Sequence, residues 1–306
     1  MKLYHAGIYA SNFEKSNRIY QIQLTDTEKS QRDMVENILE SYHYVHRQSY
    51  VDKMRKEGAR VFLDSGAFSA FTKGVEIDIQ RYCQYIKTNI DIIEHVDGVT
   101  VASVLDGIGD PLKTFQNQKR MEQLGATPLP CFHYGEDERY LEYYVANYPY
   151  ITLGGMVPIS TPQLKIWLDR IWERYLTDGA GRARVKVHGF GLTTPSLMLR
   201  YPWYSVDSSS WVRVAWAGGV MFPTGRVLSI STQNPSRKTE NQHLDSLPMI
   251  QREAAVKELT RLGLDVERAR QTQYPRWAFN AAMFIFLARN CTQADPKFVP
   301  DQQGLF

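Results

Sequence analysis

Residues 61–68 read Val61-Phe62-Leu63-Asp64-Ser65-Gly66-Ala67-Phe68, an apolar run that stops abruptly at a carboxylate and a glycine. The same pattern recurs five more times: at residues 99–105 before Asp106, 128–132 before His133, 150–153 before Gly154, 184–187 before His188 and 204–206 before Asp207. Short apolar runs that alternate with helical segments predict parallel strand–helix–strand units. Right-handed units repeated this often predict a (β/α)₈ TIM barrel, an α/β fold with parallel strands, and residues 3–8 supply its first strand.

Composition limits the functional classes. The chain has 306 residues, 43% of them hydrophobic and 23% charged, with a net charge of +3, so no global basic field indicates a nucleic-acid partner. The three cysteines are scattered and form no CxxC pair, which argues against a disulfide framework and a cysteine-rich zinc site. We expect no membrane partner, since no signal peptide and no apolar run of about 20 residues occurs. We expect no metal because the thiols are not clustered, and no cofactor because the carboxylate chemistry predicted below requires none. A cytoplasmic protein, in the host cytoplasm if viral, is the expectation; the oligomeric state stays open.

Helical spacing predicts the remaining elements. Helices are expected over residues 30–57, 77–95, 111–125, 162–176, 193–200, 246–262 and 277–289. Residues 208–245 follow the strand that ends at Asp207 and are too long for a tight connection. We predict one TIM-barrel domain over 1–306 with a nucleic-acid-contacting insertion at 208–245, in which residues 219–222 or 227–230 form a late barrel strand. A surface loop with structural tryptophans is the alternative.

Three aspartates follow predicted strands, namely Asp64, Asp106 and Asp207. Each alone can be a helix cap, and Asp110 competes with Asp106 for its role. Together, at the carboxyl end of one barrel, they predict a carboxylate cluster that would be costly to maintain without a function. His133 and His188 lack close partner spacing, so hydrogen-bonding roles are favoured over metal ligation.

These motifs resemble those of the tRNA-guanine transglycosylases. Asp64-Ser65-Gly66-Ala67-Phe68 resembles the DSGGFQ motif, and Gly154-Gly155-Met156 resembles the GGL turn that packs against the base. Residues 188–195 resemble the segment H-x-x-G-x-G-T/D-P. Asp106 is similar to the aspartate that recognises the purine, and Asp207 falls where the family has its nucleophile. The resemblance spans residues 61–207, but the CxCxxC zinc cluster of the family is missing. The compact DpdA-like DNA-guanine transglycosylases of phages and some bacteria are a closer resemblance.

The resemblance implies a transferase that exchanges guanine in DNA for a free 7-deazaguanine base through a covalent aspartyl-glycosyl intermediate. It implies Asp207 as nucleophile and Asp64 as acid/base. The implied substrate contacts are Asp106, Ser65, Gly66, Phe68, His133, Gly154, Gly155, Met156 and His188. Within the insertion, Trp211, Arg213, Arg226, Arg237 and Lys238, together with Trp216, are expected to contact nucleic acid. Alternatives are a zinc-less tRNA-guanine transglycosylase, a hydrolase on the same scaffold, and a non-catalytic paralogue that binds nucleic acid or an enzyme partner.

Overall fold

A computed structural model of the chain describes residues 1–157, 159–239 and 241–301. The strands in these ranges are β1 (Lys2–Ala6), β2 (Ile38–Ser41), β3 (Val61–Asp64), β4 (His95–Val96), β5 (Val99–Thr100), β6 (Cys131–His133), β7 (Tyr150–Gly154), β8 (Lys186–Gly189), β9 (Ser205–Ser208), β10 (Gly219–Met221) and β11 (Val227–Ser229). The α-helices are α1 (Asp26–Asp33), α2 (Tyr42–Val45), α3 (Gln48–Lys56), α4 (Ala67–Thr72), α5 (Ile79–Thr88), α6 (Pro111–Gln123), α7 (Glu138–Asn147), α8 (Thr161–Ile171), α9 (Pro195–Arg200), α10 (Ser210–Trp216), α11 (Met249–Arg261), α12 (Val266–Gln271) and α13 (Gln273–Asn290).

Seven strands form one curled parallel sheet in the order β3-β2-β1-β9-β8-β7-β6, which amounts to a half-barrel. The predicted α/β class with parallel strands is confirmed at this level. Three isolated parallel bridges lie at the sheet edges: Val61 and Leu63 of β3 pair with Ile93 and Ala102, and Ser103 pairs with Leu129. Residues 102 and 103 therefore contact the chain segments at both edges of the sheet.

The concave side of the sheet encloses an apolar core to which successive strands each contribute. Its buried members are Tyr4, Leu39, Phe62, Val96, Val101, Leu129 and Tyr150. Because side chains alternate across a strand, the inward positions build this core while the outward positions face the helices. Phe132, for example, stacks on Trp167 of α8, with ring centroids 6.1 Å apart.

The predicted strand positions agree with the structure at β1, β3, β6, β7, β8 and β9. The prediction for residues 99–105 is only partly right, because residues 99 and 100 pair with β4 in an antiparallel hairpin. The long helix predicted over residues 30–57 is wrong, since β2 interrupts it. The prediction relied on Ile38 and Leu39, which match helical spacing. In the structure Glu40 of β2 is fully buried, and its carboxylate accepts a hydrogen bond from the backbone N–H of Tyr9 at 2.6 Å.

Contacts divide the chain into two compact units. The first comprises residues 1–11, 37–207 and 292–306, of which 158 and 302–306 lie outside the described residues; the second comprises 12–36 and 208–291, of which 240 lies outside. The segment 208–245, expected to be an insertion in a single domain, belongs to this second unit together with α1 and the helices α11–α13. None of the helices in the described ranges has the length and apolar character needed to cross a membrane.

The second unit has its own core around α13. Fully buried Asn280 accepts the Met221 N–H at 2.9 Å and donates to the carbonyls of Trp211 and Gly219. Residues 219–221 and 227–229 pair with each other as the antiparallel hairpin β10–β11. The late barrel strand predicted at one of these positions is therefore wrong, because the two runs pair as a separate two-stranded sheet and neither belongs to the parallel sheet.

Candidate active site

The carboxyl ends of the parallel strands bring the three predicted aspartates into one cluster. Burial, and after it the negative charges of Asp106 and Asp207, raise the pKa of Asp64 from 3.8 to about 7. Hydrogen bonds from Gly66 and Ser103 oppose this shift without cancelling it. Near neutral pH, Asp64 therefore exists in both protonation states, which is the condition an acid/base catalyst needs.

The turn that carries Asp64 is built by its own residues. The Gly66 N–H donates to Asp64 Oδ2 at 2.9 Å, and Ser103 Oγ donates to Oδ1 at 3.3 Å. Gly66 has a φ of +77°, and an added Cβ would come within 2.3 Å of Ser41 Oγ. Ser65 is fully buried and its N–H donates to Ser103 Oγ at 2.9 Å. Ser65 thus lies inside the turn, and the direct substrate contact predicted for it stays a prediction.

Asp207 is held by a chain of buried polar groups. Its Oδ1 accepts the Gly191 N–H at 3.0 Å and lies 3.2 Å from His188 Nε2. His188 Nδ1 lies 2.8 Å from Ser205 Oγ, which in turn lies 2.7 Å from the Tyr150 hydroxyl. We assign Tyr150 as donor to Ser205, Ser205 as donor to Nδ1, and Nε2–H as donor to Asp207, because burial raises the pKa of Tyr150 and keeps its proton.

His188 itself is fully buried, with both ring nitrogens engaged. The substrate contact predicted for this residue stays a prediction, and its hydrogen bonds make it a positioning residue for Asp207. Sequence reasoning missed Ser205 and Tyr150. The spacing Ser205-x-Asp207 on one strand was a usable signal, because residues two apart on a strand point to the same face.

A second histidine cluster lies beside Asp106 and comprises His133, Asp106, Cys131 and Glu136. His133 Nε2 lies 3.4 Å from Asp106 Oδ2 and 3.5 Å from Cys131 Sγ, while Nδ1 lies 2.9 Å from Glu136 Oε1. Burial raises the pKa of the Cys131 thiol to about 11, and Asp106 adds to the effect. Burial lowers the pKa of His133, but Cys131 and Asp106 outweigh it, so the net direction is upward. Because the Cys131 thiol is neutral at pH 7, we attribute the raised pKa of His133 to the negative charge of Asp106.

The remaining predicted substrate residues differ in exposure. Phe68 at the start of α4 is 66% exposed, so its ring is available to a ligand. Gly155 is exposed with a φ of +68°, whereas Met156 is buried. Gly154 is buried against the second histidine cluster, and an added Cβ would lie 2.7 Å from His133 Cδ2. Both glycines are thus required by the local geometry.

The residues predicted to contact nucleic acid lie in the second unit. Trp211 is fully buried and its ring stacks on Phe13, with centroids 5.8 Å apart, so the predicted base stacking by Trp211 is wrong. Trp216 is 55% exposed and borders a cavity of about 420 Å³ that Asn234, Tyr274 and Arg276 also line.

The basic residues of the same segment are exposed but differ in their partners. Arg213 and Lys238 lie on the surface, and the guanidinium of Arg226 lies 4.3 Å from the ring centroid of Phe222. Arg237 forms an ion pair with Asp245 at 2.7 Å. Their contact with nucleic acid stays a prediction, which is weakest for Arg237 because its charge is partly neutralised.

Comparisons with known proteins add no identification to this geometry. No family model matches the chain, and no curated protein matches it.

Proposed function

We propose that the chain is a pentosyltransferase that exchanges guanine in DNA for a free 7-deazaguanine base through a covalent ester on Asp207. The observation that carries the proposal is the pairing of two differently held carboxylates at one end of the sheet. Asp207 has one oxygen fixed by two N–H groups, and Asp64 has a pKa raised to about 7. Two carboxylates with divided roles are the apparatus of glycosidic substitution with a covalent intermediate.

The first half of the reaction forms the ester. The guanine nucleotide is flipped out of the stack, because its C1′ is inaccessible within a duplex. Both hydrogen bonds described above go to Asp207 Oδ1, so we assign Oδ2 as the atom that attacks C1′. The bond from C1′ to guanine N9 breaks as the C1′–O bond forms, and the electron pair leaves with the base.

Asp64 transfers a proton in both halves of the reaction. In its protonated form it donates a proton to the departing guanine, and the resulting carboxylate then accepts a proton from the incoming 7-deazaguanine. The incoming nitrogen attacks C1′ and releases Asp207, which returns the enzyme to its starting state. A pKa of about 7 allows Asp64 to perform both transfers near neutral pH.

Asp106 is suited to recognise the base. Its Oδ1 is buried and has no hydrogen-bond partner within the described residues. A buried acceptor without a donor is unfavourable by about 1–3 kcal/mol, and the N1–H and amino edge of guanine would relieve this. Exposed Phe68 is available to stack on the base, and Gly155 leaves space for its plane.

We also propose that the fold is a complete eight-stranded barrel. The bridges from Leu63 to Ala102 and from Ser103 to Leu129 support residues 102 and 103 as the eighth strand position between β3 and the segment before β6. The adjacent hairpin β4–β5 explains why regular pairing is short there.

We propose DNA as the polymer because the chain lacks the CxCxxC motif associated with the tRNA enzymes it resembles. The proposed compartment is the cytoplasm. The test is mass spectrometry of nucleosides from DNA and from tRNA after incubation with the protein and a 7-deazaguanine base. A 7-deazaguanine deoxynucleoside in DNA supports the proposal. Incorporation into tRNA alone would replace DNA by tRNA as substrate, and incorporation into neither would contradict an exchange activity.

A further inference from the structure

Cys131, His133 and Asp106 converge although they come from two different parts of the chain. Cys131 and His133 are two residues apart on β6, so their side chains point to the same face of the sheet. Asp106 follows the segment that bridges to Leu129 just before that strand. One ligand atom from each residue, a thiol sulfur, an imidazole nitrogen and a carboxylate oxygen, lies within 4.8 Å of the other two.

We propose that Asp106, Cys131 and His133 bind a zinc ion. The two distances from His133 Nε2 to the other candidate ligand atoms match edges of a tetrahedral coordination polyhedron. His133 Nε2 is 3.4 Å from Asp106 Oδ2, longer than the roughly 2.7–3.2 Å of an N–H···O hydrogen bond. Tetrahedral zinc, with bonds of about 2.3 Å to sulfur and about 2.0–2.2 Å to nitrogen and oxygen, has N···O edges of about 3.4 Å and N···S edges of about 3.6 Å. The observed Nε2–Sγ distance is 3.5 Å.

The surroundings of His133 match those of a metal-binding histidine. Glu136 Oε1 lies 2.9 Å from Nδ1, and Glu136 Oε2 accepts the His133 backbone N–H at 3.0 Å. A carboxylate on the far nitrogen fixes the ring orientation and leaves Nε2 to bind the metal. Gly154 keeps the place open, because a Cβ there would lie 3.1 Å from both Cys131 Sγ and His133 Nε2.

The donor set selects the type of ion. A thiolate and an imidazole favour zinc or a comparable soft divalent ion over magnesium and calcium, which prefer all-oxygen sites. Three protein ligands leave a fourth position open, the arrangement found in catalytic rather than structural zinc sites. This departs from the expectation of no metal, which rested on cysteine spacing; here the ligands include a single cysteine and are separated in sequence.

The zinc proposal does not depend on the proposed exchange reaction, because it is tested on the protein alone. Full-length protein is purified without chelators and without metal-affinity steps, and its metal content is measured by mass spectrometry. Apoprotein is then titrated with Co²⁺ while the absorption of thiolate-to-cobalt charge transfer is recorded. The variants are Cys131→Ser and Glu136→Ala, with Glu136→Gln as the conservative replacement. Cys83→Ser is the matched control, since Cys83 is buried on α5 and is not part of the cluster.

We expect about one zinc ion per chain in the wild type and in Cys83→Ser, and a charge-transfer band that Cys131→Ser abolishes. Glu136→Ala should weaken Co²⁺ binding about 10–100-fold, with partial recovery in Glu136→Gln. The proposal is overturned if apoprotein binds no Co²⁺, or if the band persists in Cys131→Ser. If Cys131→Ser does not fold by circular dichroism, Glu136→Ala decides, and an affinity within twofold of the wild type overturns the proposal.

Discussion

Two Asp–His pairs lie at the same end of the sheet, yet their surroundings give them different chemistry. His188 is fully buried, and its two nitrogens connect Asp207 to the hydroxyls of Ser205 and Tyr150. His133 retains partial exposure and is surrounded by Asp106, Glu136 and a thiol. The first arrangement orients one carboxylate oxygen, whereas the second brings a thiol sulfur, an imidazole nitrogen and a carboxylate oxygen within 4.8 Å of one another. The role of an Asp–His pair is therefore decided by the groups that surround the imidazole and not by the pair itself.

The largest effect is expected on the Asp207 side. Asp207→Asn removes the nucleophilic oxygen that we assign to bond formation with C1′, so base exchange should fall below detection. Exchange is measured by release of labelled guanine from DNA in the presence of a 7-deazaguanine base. DNA binding, measured separately, should persist. A variant that retains exchange above one-tenth of the wild-type rate would remove Asp207 from this role.

Asp64→Asn should slow exchange by about 10²–10⁴-fold, the usual contribution of proton transfer, while DNA binding survives. In the wild type, the acid form of Asp64 is required in the first half-reaction. Since burial and the two neighbouring aspartates raise its pKa to about 7, the rate of ester formation should fall as pH rises above about 7. A loss smaller than tenfold, or a single-turnover profile that is flat between pH 6 and 8, would contradict the assignment.

The positioning chain behind Asp207 should contribute less. Tyr150→Phe removes the hydroxyl that engages Ser205, so the chain to His188 loosens and kcat should fall about tenfold with KM little changed. Tyr201→Phe is the control, because it removes a buried hydroxyl that donates to Asp169 at 2.7 Å outside this chain. Equal kcat in both variants would assign Tyr150 a structural role only.

The Asp106 side should determine which base is accepted. Asp106→Asn offers an amide in place of the unpartnered carboxylate oxygen, so discrimination between guanine and adenine should fall about tenfold or more. Two roles are proposed for this region, base recognition and zinc binding. Cys131→Ser separates them, since it removes a proposed zinc ligand while it keeps Asp106. Relative rates on the two bases are measured for both variants, and unchanged discrimination in Asp106→Asn would exclude base recognition by this residue.

The smallest effect on chemistry is expected in the second unit. Replacing Arg213 and Arg226 with alanine should weaken DNA binding nearly uniformly across sequences and flatten the log–log salt dependence by about one unit for each lost phosphate contact. Arg237→Ala should change the slope less, because Arg237 is paired with Asp245. Fluorescence anisotropy at several salt concentrations gives the slopes. An unchanged slope in the double variant would place the nucleic-acid surface elsewhere.

The sequence predicted those parts of the site that depend on local pattern. An apolar run followed by an aspartate marks a strand end, and parallel strands bring their carboxyl ends to one edge, so Asp64, Asp106 and Asp207 could be grouped in advance. Strand β2 could not be predicted from the sequence, because Glu40 is buried within it and accepts hydrogen bonds from the backbone N–H groups of residues 9 and 10. These hydrogen bonds join residues about 30 positions apart in the chain, so the spacing of apolar residues does not reveal them.

Burial also determines which of the predicted side chains keep atoms available to a ligand. Trp211 lies two residues before Arg213 in the sequence, but its ring is fully buried in the core of the second unit. His188 and Ser65 carry polar atoms beside the site, but hydrogen bonds within the protein already use them. The sequence prediction overlooked that Cys131 and His133, two residues apart on one strand, share a face. The approach of Asp106 to that face depends on the neighbouring bridge at Ser103, which no local spacing reveals.

The most direct test of the central claim is the attachment site of the covalent intermediate. Protein is incubated with DNA without a free 7-deazaguanine base, quenched under denaturing conditions, digested with nuclease and protease, and examined by peptide mass mapping. We predict a deoxyribosyl adduct on the peptide that contains Asp207, absent in Asp207→Asn. An adduct on any other residue, or exchange of the base without an adduct in rapid-quench samples, would contradict it.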